Sequence, residues 1–219
     1  MKQFVVIILT LATFQVTAQD QIMGVIGGAS WTNITSGKFD NQTKQRQGFS
    51  GGLTYEYFLN PGFSLGTDLI YNQRGFQLDM EIPNGQMASS EFNYDYISLP
   101  VKAGFYDRQN KFFSFLKAGL VPSLLINAKT VTPRFDDNAA IIGTEFFDVK
   151  NNVSKFDLGG LAEIGTGYRF IEKISLSASF IYQHSITSIT NAEYFSDSKI
   201  KHNGMTLQLS LRWSIINEL

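Results

Sequence analysis

Met205-Thr206-Leu207-Gln208-Leu209-Ser210-Leu211-Arg212-Trp213 alternates apolar and polar side chains without a break. Successive Cβ atoms of an extended chain point to opposite faces, so this rhythm predicts a strand with one oily face and one polar face. Just upstream, Ile174, Leu176, Ala178, Phe180 and Tyr182 alternate with Ser175, Ser177, Ser179 and Gln183, and Ile181 interrupts the polar side. The same reading along the chain predicts eight strands, at about 21–32, 48–58, 63–75, 93–106, 112–127, 156–170, 174–184 and 204–214.

The connections carry as much information as the strands. Leu59-Asn60-Pro61-Gly62, Asp107 to Lys111 and Ile171-Glu172-Lys173 are short, whereas 33–47, 76–92, 128–155 and 185–203 are long. Short and long alternate strictly. That pattern is expected of an all-β, antiparallel, up-and-down transmembrane β-barrel of eight strands, with short periplasmic turns and long extracellular loops.

The charges fix which face points where. Glu56, Asp68, Lys102, Lys117, Glu163, Arg169 and Arg212 all fall on polar faces, among small neighbours such as Ser64, Gly66, Gly104, Gly119 and Gly165. The opposite faces carry Leu53, Leu65, Leu69, Ile97, Leu99, Val101, Leu116, Leu120, Leu124 and Ile164. An eight-stranded barrel has room inside for side chains only. Turned inward, these acids and bases pair as a structural network; turned into lipid near the midplane, each base costs ~2–4 kcal/mol. The apolar faces are therefore expected to meet lipid. The segment Ile22 to Trp31 is too glycine-rich for its faces to be assigned. The competing arrangement is a solvated exterior around a dry core, as in lipocalin-like barrels that hold a ligand.

Aromatic placement fits the membrane reading. Tyr55, Tyr57, Phe63, Phe105, Tyr106, Phe112, Phe113, Tyr168, Phe170 and Trp213 fall near the expected periplasmic ends, and Tyr71, Tyr94 and Tyr182 near the outer ends. Amphipathic rings favour the headgroup region.

Composition excludes several function classes. Among 219 residues there is no cysteine, which removes disulfide scaffolds, cysteine-ligated metal centres, thiol nucleophiles and an N-terminal lipidated cysteine. A formal net charge of −1 argues against a nucleic-acid partner. Met1 to Ala18 reads as a signal peptide: Lys2, an apolar run from Phe4 to Ala12 too short to span a bilayer, and Val16-Thr17-Ala18 before a cut at Gln19. The chain then divides into 1–18, signal peptide, and 19–219, barrel domain, and is exported.

Several segments resemble the PorT-like outer membrane protein beta-barrel family. They are Gly24-Val25-Ile26-Gly27-Gly28, Phe63-Ser64-Leu65 running to Tyr71-Asn72-Gln73-Arg74-Gly75, Tyr96-Ile97-Ser98-Leu99-Pro100-Val101-Lys102, and Phe156-Asp157-Leu158-Gly159-Gly160 with Gly165-Thr166-Gly167-Tyr168-Arg169-Phe170. The resemblance implies an eight-stranded barrel in the outer membrane of a Gram-negative bacterium, with membrane lipid and the barrel-insertion machinery as partners, and no reaction. Some relatives are linked to secretion or gliding machinery. One departure is that Trp213 is followed by Ser-Ile-Ile-Asn-Glu-Leu, where many such barrels end on an aromatic residue that the insertion machinery recognises.

Chemical signals are sparse. His184, Ser185 and Glu193 suggest a lipid esterase, but adjacent strand residues point to opposite faces, which places nucleophile and base badly. His202 reads as a solvated loop residue, and Asp136-Asp137-Asn138 lacks the spacing of a calcium loop. Gly165 and Gly167, with no helix after them, read as room for large lumenal neighbours or as a source of curvature, not as a nucleotide loop. Asn33-Ile34-Thr35 and Asn152-Val153-Ser154 match glycosylation acceptors only weakly. No catalytic, cofactor or metal residue is expected. The expected role is a non-enzymatic barrel whose loops, bearing Phe135, Phe146, Phe147, Tyr194 and Phe195, contact a protein or glycan. A narrow channel, a lipid-modifying enzyme and a soluble ligand-binding barrel are the alternatives.

Overall fold

A computed structural model describes residues 21–36, 42–81, 87–136, 140–190 and 199–215. The expected signal peptide, Glu193, Tyr194, Phe195, Asp137 and Asn138 lie outside the described residues. The described strands are β1 Gln21–Thr35, β2 Thr43–Asn60, β3 Phe63–Glu81, β4 Met87–Ser98, β5 Val101–Gln109, β6 Phe112–Phe135, β7 Ile141–Asp148, β8 Phe156–Ile171, β9 Ile174–Ser185 and β10 Lys201–Ile215. Every pairing is antiparallel.

The sheet closes on itself. β1 pairs with β2 on one side and, from Gln21↔Ile215 to Thr35↔Lys201, with β10 on the other. Closure removes the two edges that an open sheet would expose, which a bilayer demands because lipid cannot satisfy an N–H or C=O.

Eight staves form the wall, as the alternation predicts, but the expected strand 93–106 is broken between β4 and β5. Proline supplies no N–H, so Pro100 cannot continue the ladder as a donor. The flanking groups keep the wall sealed: Asp68 donates its N–H to the Pro100 carbonyl at 3.1 Å, and Leu99 donates to the Pro122 carbonyl at 2.9 Å.

The long loops are shorter than expected, because the strands run on above the apolar belt. β2 starts at Thr43, β3 continues to Glu81 and β6 to Phe135. Thr43-Lys44-Gln45-Arg46-Gln47 is polar on both faces, so hydrophobic alternation gives no sign of it; backbone pairing of Thr43 with Leu78 and Gln45 with Phe76 holds it instead. The β2–β3 register slips between Gln45 and Ser50. There the Thr32 hydroxyl accepts from the Gly75 N–H and donates to the Gly75 carbonyl, both at 2.9 Å, satisfying groups the slip leaves open. A Cβ at Gly75 would run into the Phe92 carbonyl oxygen.

The two faces are those the charges demand. Leu207, Leu209 and Leu211 are 54%, 60% and 46% exposed, whereas Lys117 and Glu163 are 5% and 3% exposed. β1 now has assigned faces: Met23 and Val25 point out, while Ile26, Ser30, Thr32 and Ile34 are buried. Three aromatic assignments are corrected. Tyr94 and Phe113 are buried inside the barrel, and Tyr106 turns its hydroxyl onto Glu56. They sit at the expected heights but on the lumenal face, because each carries the parity of a lumenal charge on its own stave.

Candidate functional site

The lumen is filled from the periplasmic end upward. Next to the short turns, Phe113 and Phe115 project inward from β6 beside Tyr106, with ring centroids 6.2 Å and 5.3 Å from that of Tyr106. Gly167 and Gly165 on β8 face these two rings, and a Cβ at either glycine would collide with one. Their expected role as room for large lumenal neighbours is what the structure shows.

Above the rings lies the first ionic layer. The Glu56 carboxylate accepts from Lys117 Nζ at 3.0 Å, from the Arg212 guanidinium, from Ser64 Oγ at 2.7 Å and from the Tyr106 hydroxyl. Lys102 bridges Asp68 at 2.6 Å and Glu163 at 3.1 Å. All six charged side chains are at most 6% exposed. Buried charges persist when each finds an opposite charge and further hydrogen bonds, and here three acids meet three bases. Six of the seven expected network residues are brought together. The seventh, Arg169, is not: it is half-buried at the periplasmic mouth, lining a small recess with Arg108, Glu172 and Lys173. Its parity is right, but it stands too near the turn to reach the layer.

A second layer lies nearer the outer end. Arg74 donates to Asp157 Oδ2 at 2.8 Å, and its other amino group reaches Ser123 at 3.0 Å and Ser98 at 3.3 Å. Asp157 also accepts from Ser185 at 2.8 Å and Thr187 at 3.0 Å. Both residues stand in segments the sequence singles out, and their parity matches that of Asp68 and Glu163. Both fall inside the expected strands 63–75 and 156–170, so carrying the same parity to the ends of those strands finds them. Between the two layers is a polar cavity of about 50 Å³, lined by Asp68, Asn72, Arg74, Lys102 and His202 among others.

His202 is corrected. It belongs to β10 and is 3% exposed, with its ring edge-on to Tyr94 and Tyr96 at 5.4 Å and 6.0 Å. It marks the base of an apolar stopper of Ile34, Phe76, Tyr94, Leu125, Val153, Ile189 and Ile200 that fills the outer end of the barrel. Phe76 and Phe92 stack there at 4.5 Å, around a cavity of about 80 Å³. His184 and Ser185 do not form a catalytic pair: Ser185 is fully buried on Asp157, and His184 projects from the opposite face.

Outside the belt, Arg46 pairs with Glu91 at 2.7 Å and Lys44 with Asp79 at 2.6 Å. The Lys44 hydrogen bond holds the Asp79 carboxyl below its ordinary range. Furthest out is the β6–β7 hairpin, paired from Lys129↔Asp148 to Phe135↔Ile141. Every residue of β7 is exposed, with Ile141 at 62%, Ile142 at 58%, Phe146 at 70% and Phe147 at 48%. Among the described residues no cluster of three or more His, Asp or Glu is arranged to hold a metal.

One solved outer membrane barrel shares the fold, and others are similar to it. OprG from Pseudomonas aeruginosa superposes with a TM-score of 0.51 at 13% identity, covering 91% of this chain and 97% of its own. Neisserial surface protein A covers 86% of this chain and 96% of its own at 14% identity and a TM-score of 0.47. Ail of Yersinia pestis covers 90% and 99% at 14% identity and 0.43. No curated protein sequence matches the chain. The profile of the outer membrane protein beta-barrel domain matches residues 17–191. With an oily exterior, a wall closed by hydrogen bonds and that match over most of its length, the chain belongs to the outer membrane protein beta-barrel domain family, whose place is the Gram-negative outer membrane.

Proposed function

We propose that this barrel is a non-enzymatic docking scaffold that works through its extracellular face. The observation that carries the reading is the β6–β7 hairpin, where four large apolar side chains stand in water beyond the membrane belt. Exposed apolar clusters of that kind mark contact sites. The interior supports the same reading. Two paired ionic layers and an apolar stopper occupy the lumen, which argues against a permeation path. The committed hydroxyl of Ser185 leaves no nucleophile beside His184. In this reading residues 1–18 are a cleaved signal peptide, the insertion machinery and lipid are generic partners, and the specific partner is a protein or glycan. The motifs Ile97-Ser98-Leu99-Pro100-Val101-Lys102 and Asp157-Leu158-Gly159 support a PorT-like branch of the family.

A photo-crosslinking residue at Phe146, compared with one at lipid-facing Leu209, tests the reading on intact cells. The expected result is a discrete protein or glycan adduct from position 146 and only lipid adducts from 209. Absence of any adduct from 146, or stepwise ion conductance of the purified barrel in a planar bilayer, would overturn it.

A further inference from the structure

The lumenal face changes character above the Arg74–Asp157 layer. Ile34, Phe76, Tyr94 and Ile200 turn inward there and are buried, at the end of the barrel nearest the outside water. Phe76 and Phe92 stack into one wall, with ring centroids 4.5 Å apart. Packing does not close the space they border, a cavity of about 80 Å³, whereas protein interiors leave few voids larger than a water molecule. The floor of the cavity is buried, and half-buried Thr43, Leu78 and Phe92 form its rim.

One polar atom interrupts this lining. Below the β2–β3 slip the lumenal residues of β2 are even-numbered, as Thr54 and Glu56 are. Above it the odd-numbered Thr43 stands opposite Leu78, which packs against the stopper. The slip therefore turns Thr43 towards the cavity, and its hydroxyl is buried there without a hydrogen-bond partner. A buried hydroxyl left unpaired is costly.

We infer that this cavity is a binding site, entered from outside the cell, for a small neutral aliphatic molecule of about three or four carbons that carries one hydroxyl. Volume sets the size. A dry apolar cavity of roughly 150 Å³ accepts benzene, and this one is about half as large. The lining sets the charge. Among the described residues no charged side chain borders the cavity, so an ion would lose its hydration with nothing in return. Thr43 sets the polar group, because a guest hydroxyl completes its hydrogen bonding. Water is the poorer guest. It needs about two to four polar partners, and the second hydroxyl of the rim, on Thr190, is already joined to Ser188 at 3.0 Å. Beneath the stopper lies the Arg74–Asp157 pair, so a guest is held at the mouth and not passed through the wall.

The test uses the folded barrel in dodecylphosphocholine micelles, with isotope-labelled isoleucine methyls and heat-modifiable gel mobility as the check of folding. The probe is n-butanol. Xenon reports whether the cavity takes any guest, and lipid-facing Ile164 reports partition into detergent. Butanol is expected to shift the methyls of Ile34, Ile189 and Ile200 saturably, and that of Ile164 only in proportion to the alcohol added. One methylene fewer, in n-propanol, is expected to weaken binding about fourfold. Butyrate and butylammonium are expected to bind about tenfold more weakly or worse. Thr43→Val is expected to weaken butanol about fivefold, the worth of one net hydrogen bond, and to leave xenon binding unchanged. Ile189→Phe, which fills the cavity, is expected to abolish both. Linear shifts at all four methyls, xenon binding without butanol saturation, or butanol binding to Thr43→Val as tight as to wild type would each overturn the inference. Crosslinking at Phe146 does not depend on this cavity, so docking at the hairpin and binding at the mouth stand or fall separately.

Discussion

Arg74 and Asp157 meet at 2.8 Å inside the barrel although 83 residues separate them in the chain. Each is nearly inaccessible to solvent, and four hydroxyl side chains, from Ser98, Ser123, Ser185 and Thr187, complete their hydrogen bonding.

Removing one partner of this pair leaves the other charge buried without its counter-ion. Asp157→Asn is expected to lower unfolding stability in urea, measured in lipid vesicles, by about 3–5 kcal/mol. Arg74→Met combined with Asp157→Leu is expected to recover part of that loss, since it removes both charges at similar volume. A double variant as unstable as the single one would show that the pair is not what Asp157 stabilises.

Glu56 and Glu163 differ in what they leave behind. Glu56→Gln abandons Lys117 and Arg212 together, whereas Glu163→Gln leaves Lys102 with Asp68 at 2.6 Å. The urea midpoint is therefore expected to fall further for Glu56→Gln. Equal midpoints would mean that the lower layer acts as one delocalised cluster.

Overpacking at Gly165 is expected to cost about 1–3 kcal/mol. Gly165→Ala pushes a methyl into the Phe115 ring and towards the Ala178 carbonyl oxygen. Adding Phe115→Leu is expected to relieve the first clash and leave the second, so that stability returns only in part.

On the outer surface the penalty is set by depth. Leu209→Arg, in the middle of the apolar run of β10, is expected to cost ~2–4 kcal/mol when folding into a bilayer is measured. The same substitution at exposed Ile142, above the belt, is expected to leave folding into the bilayer unchanged.

The wall of the barrel was legible because a bilayer makes the rule strict: any residue facing lipid must be apolar, so Leu207, Leu209 and Leu211 announce their face and Arg212 announces the other. The lower ionic layer followed from the same parity. The upper layer did not, because Arg74 and Asp157 stand at the outer ends of the expected strands, where the oily alternation fades. His202 was misread for the same reason, since its outward-facing neighbour Asn203 is polar and nothing in that segment signals a strand. The hairpin strand β7 had no alternation to read at all, with Ile141-Ile142 and Phe146-Phe147 adjacent in sequence.

β6 runs without interruption from Phe112 at the periplasmic turn to Phe135 at the hairpin tip. Tension applied at that tip passes lengthwise into the ladder that joins β6 to β8 from Phe112↔Tyr168 to Leu124↔Phe156. Those bonds lie across the pull and resist it together, as a lap joint does, instead of opening one after another. The protruding hairpin and the embedded cylinder are thus one mechanical member.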